Sequence, residues 1–321
     1  MSCRACKDNP WSFIRIAYKG TLTNNRGKME GKSDTAPVTI FCSINRPEML
    51  HESILCAVRQ TVKCHIIVSV PEEKDVAAET RALDCVTVVT GRRGLTAQRN
   101  HALRSIQGSP EAIIFLDDDV ELDKSYVEEI LHTYRGHPEV AMVNGANLAH
   151  GIYPAGTLDR EMAKKLIEKR LEENPTVDDV IPMTTAYGCR MSMRGSLLGK
   201  VSFDERLVLY GYLEDLDLAF ACRKYGTIVE NPRALGVHIE VAFGRMGEKR
   251  RGYSEVVNPF YIWSKRTGAR LPRVILGPLA RSARNAVKAI KGEGHERLVG
   301  NLLGWANVVT FRPCPEKILE M

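Results

Sequence analysis

The sequence lacks several features that would place it in common classes of protein. No stretch of it approaches the roughly 18 consecutive apolar residues that a membrane-spanning helix needs. Charged side chains interrupt residues 1–20, so we expect no secretory signal peptide. The Gly-x-x-x-x-Gly-Lys-Ser/Thr motif of P-loop nucleotidases is absent. We therefore expect a cytoplasmic protein that does not span the membrane and is not a P-loop enzyme.

The cysteines do not form a pattern that predicts a zinc site. Among the nine, Cys3 and Cys6 form a C-x-x-C pair, but no second pair follows at zinc-ligand spacing. Others, such as Cys42 and Cys222, lie within apolar runs, which is typical of reduced cysteine in the cytosol. A composition of 44% hydrophobic and 26% charged residues indicates an ordinary globular protein.

Basic residues are concentrated at the two ends of the chain. The formal net charge is +6, and Lys and Arg are enriched in residues 1–35 and from Arg245 onward. Basic flanks indicate an anionic partner, such as a membrane surface or a phosphate-bearing substrate, or only a solvated surface. We expect no nucleic acid partner, because the acidic clusters described below would repel its phosphates.

Alternating strands and helices predict an α/β fold with a mostly parallel sheet flanked by helices. Apolar runs predict strands at residues 37–43, 65–70, 86–90 and 112–116, and helical periodicity appears between the first and second and between the third and fourth. In such sheets ligands bind beyond the carboxyl ends of the strands. The residues that follow the strands are therefore the first candidates for a functional site.

Three consecutive acidic residues, Asp117, Asp118 and Asp119, follow the fourth predicted strand directly. Like-charge repulsion makes such a cluster costly unless a cation neutralises it. Hard divalent ions such as Mg²⁺ or Mn²⁺ take carboxylate oxygens together with substrate phosphates. The triplet thus predicts a metal–nucleotide site, and the alternative is an acidic turn with Asp119 at the start of a helix.

Composition and the predicted elements divide the chain into three segments: a flexible basic leader (residues 1–35), a central α/β domain (36–245) and a basic helical extension (246–321). In the extension, an apolar stripe runs from Leu276 to Ile290 with basic residues on the other side of the helix, and a second apolar stretch follows. Residues 276–310 would either lie on an anionic membrane surface or pack on the central domain.

Several segments of residues 37–240 resemble the inverting, GT-A fold glycosyltransferases of family 2. The segments occur in the family's order, and they are Ser43-Ile44-Asn45-Arg46-Pro47, Gly94 to Asn100, Phe115-Leu116-Asp117-Asp118-Asp119, Phe203-Asp204-Glu205, and Glu214-Asp215-Leu216-Asp217-Leu218 followed by Arg223, Gly226 and His238. In place of the acidic pair that the family has after the second strand, this chain has Val68 to Glu73, where Glu72 is the candidate substitute.

The resemblance implies a GT-A fold and the transfer of a sugar from a nucleotide-diphosphate sugar, with UDP as the default carrier, to an acceptor hydroxyl. It implies Asp215 as general base with Glu214 beside it, and Asp119 and His238 as ligands of Mg²⁺ or Mn²⁺. The residues that it implies for binding the nucleotide sugar are Ser43, Asn45, Arg46, Arg99, Asp117 and Asp118.

Each of these assignments has a plainer structural alternative. Glu214 and Asp215 would also suit the first turn of a helix, where acids are favoured by the helix dipole. Arg99 would fit an ordinary helix face, and His238 a histidine after a strand. For the whole protein we expect a glycan or a lipid-linked acceptor in polysaccharide or cell-envelope synthesis, at the inner membrane face. The alternative is a non-catalytic sugar- or nucleotide-binding module of the same fold.

Overall fold

The computed structural model describes residues 36–150, 152–153, 156–173, 179–239, 246–265, 271–310 and 312–321, with the side chains of 150, 152, 153, 156 and 157 left out. The predicted leader, residues 1–35, lies outside these ranges. The described residues form two compact units. The first contains residues 36–92, 98–202 and 222–239, and the second contains 93–97, 203–221 and the residues from 246 onward. The predicted domain limits at 35 and 245 stay a prediction.

The strands all belong to the first unit. They are β1 (Val38–Cys42), β2 (His65–Val70), β3 (Val86–Thr90), β4 (Ala112–Asp117), β5 (Val120–Leu122), β6 (Val140–His150), β7 (Ile152–Tyr153), β8 (Gly156–Thr157), β9 (Ile181–Met183), β10 (Arg190–Arg194) and β11 (Thr227–His238). Within the described ranges, nine of them form one sheet in the order β3-β2-β1-β4-β10-β6-β11-β5, with β9 beside β11, while β7 and β8 pair separately.

The helices follow the predicted alternation over the first half of the chain. They are α1 (Pro47–Val58), α2 (Ala78–Arg81), α3 (Leu95–Ser105), α4 (Tyr126–Gly136), α5 (Arg160–Glu172), α6 (Glu214–Cys222), α7 (Glu248–Ser264), α8 (Leu271–Ile290) and α9 (His295–Val308). Two sequence signals fix the start of a helix: Pro47 stands in the first turn of α1, and the Asp159 carboxylate caps α5 by accepting from the Met162 amide at 2.8 Å.

Strands β3, β2, β1 and β4 run parallel, as do β6 and β11, so the predicted α/β fold with a mostly parallel core is confirmed. Strand β10 is the main departure, because it lies antiparallel between β4 and β6. The parallel strands place the ends of β1 and β4 side by side, with Cys42 opposite Asp117. The residues that follow these two strands therefore meet at one edge of the sheet.

Both faces of β1, β2 and β4 are buried. Ile66 and Ile114 pack in one apolar cluster with Leu50 and Ile54 of α1. Alternate strand residues such as Phe115 are equally inaccessible, and the guanidinium of Arg99 in α3 lies 5.8 Å from the Phe115 ring. Continuous apolar strands with helices on both faces are the pattern expected of a buried parallel sheet.

In the second unit, α7 and α9 approach each other closely through glycine. A Cβ added at Gly300 would lie 2.0 Å from the carbonyl oxygen of Lys249, and one at Gly252 would lie 2.1 Å from that of Arg297. Asn301 reinforces this contact by donating its side-chain amide to the Gly252 carbonyl at 2.8 Å. Backbone contact at this distance is available only to glycine, so the two helices depend on both positions.

We predict that Gly300→Ala lowers the free energy of unfolding by about 2 kcal/mol or more, because backbone must move to admit the methyl group. Gly136→Ala, near the end of α4, is the matched control, since no atom lies within 4 Å of its added Cβ. Urea denaturation of both variants measures the difference. Equal stability of the two variants would contradict the close contact of α7 and α9.

Candidate functional site

The acidic triplet forms a tight turn at the end of β4. Asp117 is the last residue of the strand, and Asp118 and Asp119 turn the chain into β5. The hydroxyl of Ser53 in α1 donates to the Asp118 carbonyl at 2.8 Å and accepts from the Val120 amide at 3.2 Å. This hydrogen bonding fixes the turn, so that three carboxylates leave it in set directions.

Asp117, Asp119 and His238 converge on one point. The Nε2 atom of His238 lies 3.0 Å from Asp119 Oδ1 and 3.6 Å from Asp117 Oδ2. One ligand atom from each of the three residues lies within 4.8 Å of the others. His238 is the last residue of β11 and is paired with Val120, so the antiparallel β5–β11 contact brings it to the turn. The two predicted metal ligands thus meet, and Asp117 joins them.

The donor set suits a divalent cation. Two carboxylates and one imidazole match the ligands that Mn²⁺ and Mg²⁺ sites use, with further positions left for phosphate oxygens. Burial lowers the pKa of His238, but Cys189 and the carboxylates of Asp119 and Asp117 outweigh it and raise the pKa to about 10. A ligating imidazole must be neutral, so binding of a cation here would release that proton.

Asp118 points away from this cluster into a buried polar contact. Its carboxylate accepts from the Ser43 hydroxyl and pairs with Arg46 Nη2 at 2.6 Å. Burial raises the pKa of Asp118 to about 7, although Arg46 and Ser43 lower it. Arg46 also lies 3.5 Å from Asp119, so a single guanidinium neutralises two members of the triplet. Of the predicted nucleotide-binding residues, Ser43, Arg46 and Asp118 therefore form one group.

Arg99 neutralises the third carboxylate. From α3 it donates to Asp117 Oδ1 at 3.2 Å and to the Gly188 carbonyl at 2.8 Å, and its side chain is almost fully buried. The neighbouring Gln98 donates to the carbonyls of Ser43 and Ser69, at 3.2 and 2.8 Å. The sequence analysis did not single out Gln98, yet it connects the segments that follow β1 and β2.

Asn45 stands apart from the buried group. Its side chain is exposed and its backbone is left-handed, with φ of 58°. Its amide donates to Asp75 Oδ1 at 2.8 Å, and the second oxygen of Asp75 accepts from the Glu72 amide at 3.2 Å. Asp75 is buried, whereas Glu72 is exposed. The acid that follows β2 and supports the loop is therefore Asp75, and a capping pattern from Glu72 to Asp75 was its signal in the sequence.

The two predicted catalytic acids lie in the first turn of α6, in the second unit. Glu214 is buried, whereas Asp215 is partly exposed and accepts from the Leu216 amide at 2.8 Å. The preceding loop has left-handed backbone at Gly211 and Leu213, with φ of 67° and 69°. Of the two acids, Asp215 is the one that solvent reaches.

A charged cluster holds this turn in place within the second unit. Lys265 at the end of α7 pairs with Asp217 at 2.5 Å and with Asp204 at 2.9 Å. The Tyr261 hydroxyl also donates to Asp204 at 2.7 Å. Burial raises the pKa of Asp217, and Lys265 opposes that shift. Asp204 and Asp217, which belong to the family-like motif, are therefore engaged in structural pairs.

Tyr212, two residues before α6, links the loop to the C-terminal helices. Its carbonyl accepts from Asn258 at 2.8 Å, and the guanidinium of Arg281 lies 5.7 Å from its ring. Burial raises the pKa of the Tyr212 phenol, and the charge of Arg281 lowers it. The charge of Asp215 is among the smaller contributions that raise this pKa. Neither Tyr212 nor Arg281 was marked as functional by the sequence, because no motif includes them.

Comparison with known proteins relates the sequence of this chain to one family. Residues 39–193 match the sequence model of glycosyl transferase family 2. A search of curated protein sequences finds no match. One similar solved structure is the mannosyltransferase PcManGT from Pyrobaculum calidifontis in complex with GDP-Man and Mn²⁺, at 14% identity and a TM-score of 0.46, over 89% of this chain and 78% of that one.

A second similar structure is GalNAc-T7 with UDP, GalNAc and Mn²⁺. The identity is 12% and the TM-score is 0.50, and the alignment covers 89% of this chain. This chain spans 56% of the length of that protein. At such identity the likeness bears on the fold, which is that of the GT-A glycosyltransferases.

We predict that Asp119→Asn and Asp117→Asn each weaken Mn²⁺ binding, because each removes a charged ligand of the cluster. The loss should exceed the roughly 10- to 100-fold that removal of an outer-shell partner costs. Asp84→Asn, at an exposed position, is the control. Titration calorimetry with Mn²⁺ measures the affinities, and unchanged binding in both cluster variants would contradict the site.

We also predict that Lys265→Met lowers the free energy of unfolding by roughly 2–4 kcal/mol, since it leaves the buried carboxylate of Asp217 without a counter-charge. Lys164→Met, which breaks the surface pair of Lys164 with Glu161, is the control and should have no measurable effect. Thermal denaturation of both proteins tests this, and equal melting temperatures would show that the cluster does not hold α6.

Proposed function

We propose that this glycosyltransferase transfers a sugar from a UDP-sugar to an acceptor hydroxyl with inversion of the anomeric configuration. The match of residues 39–193 to glycosyl transferase family 2 supports this proposal. The observation that carries this proposal is the meeting of Asp117, Asp119 and His238 at the end of β4. UDP and Mn²⁺ in the GalNAc-T7 structure support the choice of carrier and ion.

The donor half of the reaction belongs to the carboxyl edge of the sheet. Asp117, Asp119 and His238 would hold Mn²⁺ or Mg²⁺, which supplies positive charge to the leaving diphosphate. Arg46, with a partly exposed side chain, and the exposed Asn45 would contact the nucleotide sugar directly. Ser43 and Asp118 would act on the nucleotide through the shape of that loop, because they are buried against each other.

Arg99 has a double part in this proposal. It holds the Asp117 carboxylate by a charge-assisted hydrogen bond and ties it to the backbone at Gly188. Its near-complete burial keeps the Asp117 side chain in one orientation and leaves little of the guanidinium for a substrate. We therefore assign Arg99 mainly to the positioning of Asp117, with nucleotide contact limited to the end of the side chain.

The acceptor half requires a base that takes the proton of the attacking hydroxyl. Asp215 fits this task because it is partly exposed at the start of α6, whereas Glu214 is buried beside it. Asp217 and Asp204 are held by Lys265 and are unsuited to bind a substrate hydroxyl. We assign Glu214 a supporting role in the same turn.

We assign the acceptor to the glycans or lipid-linked sugars of polysaccharide or cell-envelope synthesis, at the cytoplasmic face of the membrane. This rests on the basic, apolar helices of residues 276–310, through which the protein would contact the membrane peripherally. None of the helices in the described ranges combines the length and the apolar character of a bilayer-spanning segment.

We predict that Asp215→Asn lowers kcat for transfer by about 10²- to 10⁴-fold, the usual contribution of general base catalysis. Mn²⁺ and donor binding should be unchanged, because Asp215 is not among the metal-site residues. A panel of nucleotide sugars, with thermal stabilisation to find the donor and product release to follow turnover, provides the measurement. Asp159→Asn, which retains an N-cap residue on α5, is the control.

Two outcomes would overturn the assignment. Full transfer activity in Asp215→Asn would remove Asp215 as the base. Metal-dependent donor binding by the unaltered protein, with neither transfer nor hydrolysis of any donor, would indicate the alternative of a non-catalytic binding module.

A further inference from the structure

Helix α8 directs its larger aliphatic side chains away from the rest of the second unit. The residues that it buries are Val274, Pro278 and Ala289. The apolar stripe seen in the sequence lies on the opposite side, where the exposed aliphatic residues are Leu276 (63%), Leu279 (46%), Val287 (54%) and Ile290 (86%). The stripe is therefore not the packing face of α8 in the described part of the chain.

Helix α9 shows the same inversion. Its buried residues are small or polar, namely Gly300, Asn301, Gly304 and Asn307. Its exposed residues include Val299 (45%), Leu302 (60%) and Leu303 (40%), and Val309 (67%) follows directly. A water-facing helix usually buries its aliphatic side and exposes its polar side. Two neighbouring helices that both expose a row of aliphatic side chains indicate a surface that is covered by an apolar partner.

The two helices are held as one rigid face. Trp305 of α9 donates its indole N–H to the Ser282 hydroxyl of α8 at 3.0 Å, and Asn285 donates to Asn301 at 2.7 Å. Arg297 pairs with the buried Glu255 at 2.5 Å, which ties α9 to α7. Hydrogen bonds and an ion pair thus connect α7, α8 and α9 on their inner sides. The outward aliphatic side chains take no part in these contacts.

Charge narrows the identity of what covers this face. The sequence between Glu255 and Glu293 has no acidic residue and eight basic ones. Arg273, Lys288 and Lys291 are exposed, and at 100° per residue Arg273 and Lys291 fall beside the aliphatic stripe of α8. A second copy of this chain would bring the same positive charge to the contact, which disfavours pairing of like faces. A surface with an apolar interior and anionic head groups complements both features.

We propose that α8 and α9 lie in the plane of an anionic lipid membrane, with their outward aliphatic residues below the head groups and Arg273 and Lys291 at the phosphates. The 20 residues of α8 give a contact about 30 Å long. A lipid-linked acceptor would reach the enzyme beside this face of α8 and α9, and this consequence alone rests on the proposed function. Binding to lipid itself requires neither donor nor turnover.

Sedimentation of the full-length protein with phosphatidylcholine vesicles that contain phosphatidylglycerol tests the proposal, beside phosphatidylcholine vesicles alone. The unaltered protein should bind the anionic vesicles more tightly, and added salt should weaken binding. Arg273→Gln with Lys291→Gln should reduce the partition coefficient about 30-fold, at about 1 kcal/mol for each basic side chain. Leu276→Asn with Leu302→Asn should reduce it at least tenfold.

Matched variants in α5 separate this face from general surface effects. The first control, Lys165→Gln with Lys169→Gln, changes two exposed lysines. The second, Leu171→Asn, changes an aliphatic residue that is 49% exposed. Neither control should alter binding to the vesicles. Circular dichroism checks that all variants are folded. Absence of vesicle binding would overturn the proposal, as would a stable dimer in ultracentrifugation that Leu276→Asn with Leu302→Asn dissociates. Transfer activity toward a water-soluble acceptor would stand in either case.

Discussion

The neutralisation of three adjacent carboxylates is the constraint on which the first unit depends. Asp117, Asp118 and Asp119 repel one another in a buried turn, and each is paired with a cationic group from a distant segment: Arg99 from α3, Arg46 from the start of α1 and His238 from the end of β11. Loss of any pair would leave charge in a poorly solvated place. The order of the strands follows the same need, because β11 has to run beside β5 for His238 to reach the turn.

The local elements of this unit could be predicted from the sequence, whereas contacts across the sheet could not. The predicted strands at 65–70 and 86–90 coincide with β2 and β3, since continuous apolar runs identify buried strands. Strand β10 was missed because Arg190 and Ser192 interrupt its apolar pattern. Both are buried, and Ser192 is satisfied by the Val143 carbonyl, a partner that only the fold supplies.

The candidate site shows the same division. Sequence motifs identified the acids and His238. Which carboxylate oxygen faces the metal cluster depends on the turn at the end of β4, which the motifs do not describe. Asp117 was expected at the nucleotide, yet its carboxylate lies with those of the metal cluster. Residues two apart at a strand end share a side, so the period of the strand could have grouped Asp117 with Asp119. The side chains of Asp75 and Gln98 hold backbone groups of the loop that follows β1, and these partners are known only from the fold.

The second unit shows why similar acids take different tasks. Asp204, Asp215 and Asp217 belong to the family-like motifs. Lys265 pairs with Asp204 and Asp217, whereas Asp215 is partly exposed at the start of α6. A general base must exchange a proton with the substrate, whereas an acid in a structural ion pair must keep its charge. The same residue type can serve either task, depending on the charges and the solvent around it. The packing of the second unit restricts its sequence. Lys265 must directly follow the last residue of α7, and Gly252 and Gly300 must remain glycine for α7 and α9 to approach each other. The outward aliphatic residues of α8 and α9 take no part in these contacts, so they are available to bind a surface outside the protein.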